Sequence, residues 1–171
     1  MERKNTSVRF VNLSSYTTPM VVEDKRKEWV GYGKDNNYFQ YLIDRYNGST
    51  TNNAILNGIT ELIYGRGLSA FDAQRKPESY AKALTMFNKK VLRRLIFDVK
   101  GMGQGALQVI YNANKTKVVK VEHIPIETLR FEKMTEKGDC EAFFYSKDWT
   151  KANQRDYKPE RIPAFGYGKK S

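Results

Sequence analysis

Trp29-Val-Gly-Tyr-Gly-Lys-Asp-Asn-Asn-Tyr38, continuing to Ile63-Tyr-Gly-Arg-Gly-Leu68, reads as two short amphipathic helices joined by a tight polar turn. Asp35, Asn36 and Asn37 are each able to accept hydrogen bonds from the unpaired amides that open a helix. Phe39, Leu42, Ile43 and Tyr46 then follow at i, i+3, i+4 and i+7, which is one face of an α-helix. Asn47-Gly48 offers a left-handed stop, and Ser49, Thr50 and Thr51 offer caps for a second helix. Ile55, Ile59, Leu62 and Ile63 share a face of that helix, and Gly65-Arg66-Gly67 ends it. The spacing predicts helices over 38–46 and 52–64, packed through Leu42, Ile43, Ile55 and Ile59, with Ile59 a core residue.

Outward from this hairpin, Val8–Leu13 reads as a strand, Ser14–Pro19 as an extended arm, and Glu23–Glu28 as a charged loop or helical turn. Such an arm fits a neighbouring subunit or its own domain equally well. On the C-terminal side, Pro77 suits a first helical turn, and one long helix is expected from there to about Lys100. Tyr80, Leu84, Phe87, Val91 and Leu95 form its apolar stripe. Gly101-Met-Gly-Gln-Gly ends it. Short strands are predicted over 106–111, 117–123, 128–131 and 141–145, with turns at Asn112–Lys115 and Glu136–Asp139. Pro125 separates the second strand from the third, and Asp156–Pro163 suits an irregular segment. The fold class is therefore α+β: an extended arm over 1–30, a helical part over 31–100 holding a hairpin and one long helix, and a β-rich part over 101–171 forming a small, mainly antiparallel sheet.

The charge is distributed unevenly. The 171 residues carry a net +11, and residues 75–120 hold eleven Lys/Arg against the two acids Glu78 and Asp98, a balance of +9. On a continuous helix Lys82, Lys89, Arg93 and Lys100 fall opposite the apolar stripe, and this makes them the candidate contact residues for a subunit or for DNA. Regularly spaced cations neutralise phosphates without reading sequence. A solvated helix face or an inter-subunit ion-pair surface accounts for them as well.

Catalytic and cofactor chemistry finds little support. Gly101-Met-Gly-Gln-Gly follows a helix and precedes a strand, whereas a phosphate loop needs strand, loop, then helix. His123 is the single histidine, and nothing in the sequence marks a nucleophile and an acid to join it, so a structural role is expected. Asp139 and Glu141 lie at a turn and read as solvated. Trp29 and Trp149 read as packing anchors. One cysteine, Cys140, makes no internal disulfide, and one histidine builds no metal site by itself. No cofactor, metal or catalytic residue is assigned. No run of eighteen apolar residues is present, and the first thirty residues lack the apolar core of a signal peptide, so a cytosolic or virion setting and no membrane partner are expected.

The blocks Tyr32-Gly-Lys-Asp-Asn-Asn-Tyr38, Tyr41-Leu-Ile-Asp-Arg-Tyr-Asn-Gly-Ser49, Asn57-Gly-Ile59 and Tyr64-Gly-Arg-Gly-Leu68 resemble the N-terminal region of tailed-phage portal proteins. The similarity is to those of phages of Bacteroidetes, including the crAss-like group. His123-Ile-Pro-Ile-Glu-Thr-Leu-Arg130 and Tyr145-Ser-Lys-Asp-Trp149 resemble later blocks in the same order, so the resemblance runs from about Phe10 to Phe165. None of these blocks is a catalytic signature. The resemblance implies a structural subunit of a dodecameric ring at a capsid vertex, through which double-stranded DNA is packaged and ejected. It implies terminase, neck or tail and capsid proteins as partners, assembly in the host cytoplasm and residence in the virion. It covers the wing-like part and stops before the stem, which implies a fragment of a longer chain or a truncated frame. The alternative is a stand-alone, sequence-independent DNA-binding domain using the basic helix face.

Overall fold

The computed structural model describes residues 20–167, and of Lys34 only the backbone. The predicted strand at 8–13 and the arm at 14–19 lie outside the described residues. What is described is an α+β fold: β1 (Val21–Val22), β2 (Gly31–Tyr32), α1 (Tyr38–Asn47), α2 (Thr50–Tyr64), α3 (Pro77–Met86), α4 (Lys89–Met102), β3 (Ala106–Tyr111), β4 (Val118–Ile124), β5 (Leu129–Phe131), β6 (Ala142–Tyr145) and β7 (Glu160–Pro163).

The strands form three small antiparallel sheets rather than one: the β1–β2 ribbon, the β3–β4 hairpin and the three-stranded β5–β6–β7 sheet. Glu28–Val30 runs along the free edge of β5. The Val30 amide donates to the Phe131 carbonyl at 2.9 Å and the Lys133 amide to the Glu28 carbonyl at 2.9 Å. This part of the arm therefore lies on its own domain. The tail departs from its irregular reading, because Glu160–Pro163 forms the edge strand β7 against β6. An edge strand tolerates Pro163 at its end. Arg161 also clamps Glu132 with two hydrogen bonds, 2.6 and 2.8 Å long.

The helical hairpin forms, with the expected cap at Ser49 but not at Gly48 or Asn37. Gly48 is right-handed (φ −82°), so the chain turns straight into α2, where Ser49 Oγ accepts from the Asn52 amide at 3.2 Å. Asn37 makes no capping bond with its side chain. Asn36 instead turns inward, as described below. On α1 the expected stripe is correct: Phe39 is buried, and Leu42, Ile43 and Tyr46 are half-buried.

On α2 the expected face is wrong. The helix packs on α4 and α1 through Asn53, Leu56, Thr60 and Tyr64, whereas Ile55, Ile59, Leu62 and Ile63 are 55%, 37%, 81% and 49% exposed. Periodicity identified an apolar stripe that the other described residues do not cover. The inward face instead mixes one aliphatic residue with polar and aromatic ones, and Gly101 lets α4 approach it closely. Thr60 bonds back to the Leu56 carbonyl at 2.8 Å, and a Cβ added at Gly101 of α4 would come 3.0 Å from Leu56 Cδ2.

The single long helix over 77–100 is also corrected, because it is two helices. Phe87 leaves helical geometry (φ −101°, ψ 62°), and Asn88 is extended, its side chain accepting from the Val91 amide at 3.1 Å. Asn88 thus starts α4 afresh. Left-handed Gly103 (φ 75°) ends it. A Cβ at Gly105 would meet Leu95 Cδ1 at 2.7 Å and Val99 Cγ2 at 2.8 Å, so the glycine cluster is a helix stop with close packing behind it.

Two apolar clusters form the core. Phe39, Ile126 and Leu129 gather Tyr32, Met102, Ala106, Ile124, Phe143 and Tyr145. Phe144, Trp149 and Ala152 gather Trp29 and Tyr157. Arg130 lies between them and is 2% exposed. Its guanidinium carbon is 5.0 Å from the Phe39 ring in one cluster and 4.7 Å from the Trp149 ring in the other.

Candidate interaction surface

Four groups of side chains are candidates for function: the cations of α3 and α4, the His123 neighbourhood, the Arg130 junction and the outward face of α2.

The helix break divides the predicted cationic set. Lys82 is on α3, beside a shallow cleft lined by Ala81, Thr85, Met86 and Val119. Lys89, Arg93 and Lys100 fall within about 40° of one another on α4. Two of these three are turned onto α2. Arg93 pairs with Glu61, and the Lys89 and Arg93 cationic groups lie 6.0 and 5.9 Å from the Tyr64 ring. Lys100 is exposed in the last turn of α4, where the helix dipole favours a cation. The structure therefore brings Lys89 and Arg93 together, and it engages them within the chain.

His123 sits on β4 with its side chain buried, and its acid arrives from α4. His123 Nε2 lies 2.7 Å from Asp98 Oδ2, which also accepts from the Ile126 amide at 3.2 Å. An ionised Asp98 only accepts, so Nε2 carries the proton. Nδ1, the nitrogen that a general base would use, is enclosed and without a hydrogen-bond partner among the described residues. The pair joins helix to sheet at the turn leading into β5. Asp98 was not singled out from sequence. The available signal was an acid seven residues after Val91 and three after Leu95, on the apolar face of α4.

Arg130 was also missed. Burial pushes its guanidinium pKa down to about 10. Nε donates to Asn36 Oδ1 at 2.6 Å, and a terminal nitrogen donates to the Asn36 carbonyl at 3.1 Å. The other terminal nitrogen donates to the Glu127 and Leu129 carbonyls at 3.0 and 2.7 Å. Asn36 Oδ1 accepts from the Tyr32 amide as well, at 3.1 Å. Asp35 and Asn36 are both left-handed (φ 57° and 60°), and the Arg130 fork holds that strained turn against the sheet. Trp149 is a packing anchor here, its indole N–H donating to the Thr128 carbonyl at 2.9 Å.

The outward face of α2 has no partner among the described residues. Ile55, Ile59 and Leu62 lie within about 60° of one another on the helix, pointing away from α4. Glu61 is the one charged residue in Thr50–Tyr64, and it is bonded to Arg93. An exposed helix of fifteen residues with no free charge is unusual for a surface, where scattered apolar residues are normal and a continuous row of them is not. Arg66 follows at the end of the row. No helix among the described residues is long and apolar enough to cross a membrane, so the row is not part of a helical span. Comparison with protein-family profiles, with curated proteins and with solved structures finds no match to this chain.

Proposed function

We propose that the chain is a structural, non-catalytic subunit of a phage portal ring, contributing the wing-like part of the capsid-vertex channel for genome packaging and ejection. The observation that carries an assembly role is the row of Ile55, Ile59, Leu62 and Ile63, which a self-sufficient monomer would cover or replace with charge. The portal identity rests on the order and spacing of the blocks between Tyr32 and Trp149. On this reading the chain assembles in the host cytoplasm and resides in the virion. Its partners are copies of itself and, through regions largely outside this chain, terminase, neck or tail and capsid proteins. DNA passes through the channel without being gripped, which agrees with Lys89 and Arg93 being engaged by Tyr64 and Glu61.

Sedimentation of the purified chain, paired with a filter-binding titration on duplex DNA from about 50 to about 200 mM salt, tests the proposal. Concentration-dependent oligomers with weak DNA binding are expected. A monomer that binds unrelated duplexes tightly, with an affinity that falls steeply with salt and is lost when Lys82, Lys89, Arg93 and Lys100 become Gln, would establish the DNA-binding alternative instead.

A further inference from the structure

Besides the α2 row, a second apolar patch is exposed among the described residues. Met20, Val21 and Val22 are 75%, 60% and 49% exposed, although Val21 and Val22 are paired with Tyr32 and Gly31 of β2. The two patches differ in shape: one is a helix face about 12 Å long, and the other a short extended segment. They carry opposite charge at matching ends. The α2 row runs into Arg66 and the β1 segment into Glu23, both exposed. We infer, resting on the assembly reading above, that the outward face of α2 seats the Met20–Val22 segment of a second copy of this chain, with that copy's Glu23 meeting Arg66.

Electrostatics favours a second copy as the occupant. A chain of net +11 repels itself over most of its surface, and that repulsion is weakest where no free charge lies. Thr50–Tyr64 is such a region, and the acid at the end of β1 turns the remaining Arg66 into an attraction. Because the two patches are different, the contact is head-to-tail: each copy presents one donor segment and one acceptor helix. Such a contact repeats around a ring or along a filament, whereas pairing of two α2 helices would stop at a dimer.

The test uses Val22→Cys and Leu62→Cys together in a Cys140→Ser background, oxidised at protein concentrations spanning the sedimentation range. Both replaced side chains are exposed, so the variant folds, and a circular dichroism melt checks that it does. A ladder of disulfide-linked multimers from the double variant, absent from either single variant, is expected. In parallel, Glu23→Arg and Arg66→Glu should each weaken self-association about fivefold, and combining them should restore it. Disulfide-linked dimers formed by the Leu62→Cys variant alone would overturn the inference in favour of α2–α2 pairing. Oligomers that form without the mixed cross-link, and that tolerate Leu62→Asp, would overturn it while leaving the assembly reading in force through another surface. A chain that stays monomeric at every concentration would overturn both.

Discussion

Replacing Arg130 by Lys keeps a cation in the junction between the two apolar clusters and removes the planar fork. The guanidinium makes four hydrogen bonds, to Asn36 Oδ1 and to the carbonyls of Asn36, Glu127 and Leu129. An ammonium at one point cannot reach acceptors arranged around a plane, so about two of the four bonds should be lost, at roughly 1.5–3 kcal/mol each. Burial has a second consequence. It lowers the Arg130 pKa to about 10, but from 12.5, so the guanidinium stays charged at neutral pH. Lysine starts at about 10.4, and the same burial would take it to about 8. A folded-state pKa below the unfolded one gives stability that is present above the unfolded value and lost as pH falls through the folded value. The R130K protein should therefore gain about 2 kcal/mol, relative to wild type, between pH 7 and pH 9.5. Over the same interval the Arg130 contribution stays nearly flat. Urea unfolding of both proteins at the two pH values measures this, with the difference between them cancelling the other titrations. A loss of at least about 3 kcal/mol at pH 7, partly recovered at pH 9.5, is expected. A variant within about 1 kcal/mol of wild type at pH 7, with no recovery, would show that the fork and the burial are not what hold the junction together.

Four further outcomes follow from the packing. His123→Ala leaves Asp98 buried and should cost about 3–5 kcal/mol, with the Asp98→Ala/His123→Ala double variant costing clearly less than the sum of the two singles, as read from a double-mutant cycle in urea. Gly105→Ala forces a Cβ against Leu95 and Val99 and should cost about 1–3 kcal/mol, lowering Tm by about 2–4 °C for each kcal/mol. Asn88→Ala removes the cap that restarts the chain after Phe87 and should cost about 1 kcal/mol in the same assay. Leu62→Asp should change the stability of the monomer by no more than about 0.5 kcal/mol, measured at concentrations too low for self-association.

The parts of the fold legible in the sequence are those governed by local rules. The α1 stripe, the glycine stop at Gly103, the position of Pro125 between β4 and β5, and the turns at Asn112–Lys115 and Glu136–Asp139 all follow from residue spacing and turn chemistry. What was not legible depends on partners distant in sequence. Arg130 binds Asn36 across 94 residues, and Asp98 meets His123 across 25. Nothing in a linear pattern announces either pairing, although both residues stand out as charges placed among apolar neighbours. The helix break at Phe87–Asn88 could have been read, since Asn88 followed by an apolar residue three positions later is a standard start signal. The regular spacing of Tyr80, Leu84, Phe87, Val91 and Leu95 concealed it, although the stripe is not covered throughout: Leu84 is 42% exposed.

The outward face of α2 raises a different question, since there the periodicity was real and its interpretation was not. Hydrophobic spacing reports which face of a helix is removed from water in the functional state, and it says nothing about which molecule removes it. In α2 both faces can be covered: Asn53, Leu56, Thr60 and Tyr64 by α4 and α1, and Ile55, Ile59, Leu62 and Ile63 by something outside the described chain. The inner face has one aliphatic residue, Leu56, among polar and aromatic ones, and such a mixture leaves little trace in an apolar pattern. The outer face carries the large aliphatic residues that dominate one. The strongest stripe of such a helix therefore points away from its own core. Where that stripe lies on the solvent side, and the helix's one acid is already paired in cis, the stripe is the interface of the proposed assembly. Testing Leu62→Asp for neutrality in the monomer and for loss of assembly in the oligomer separates these two meanings of the same pattern.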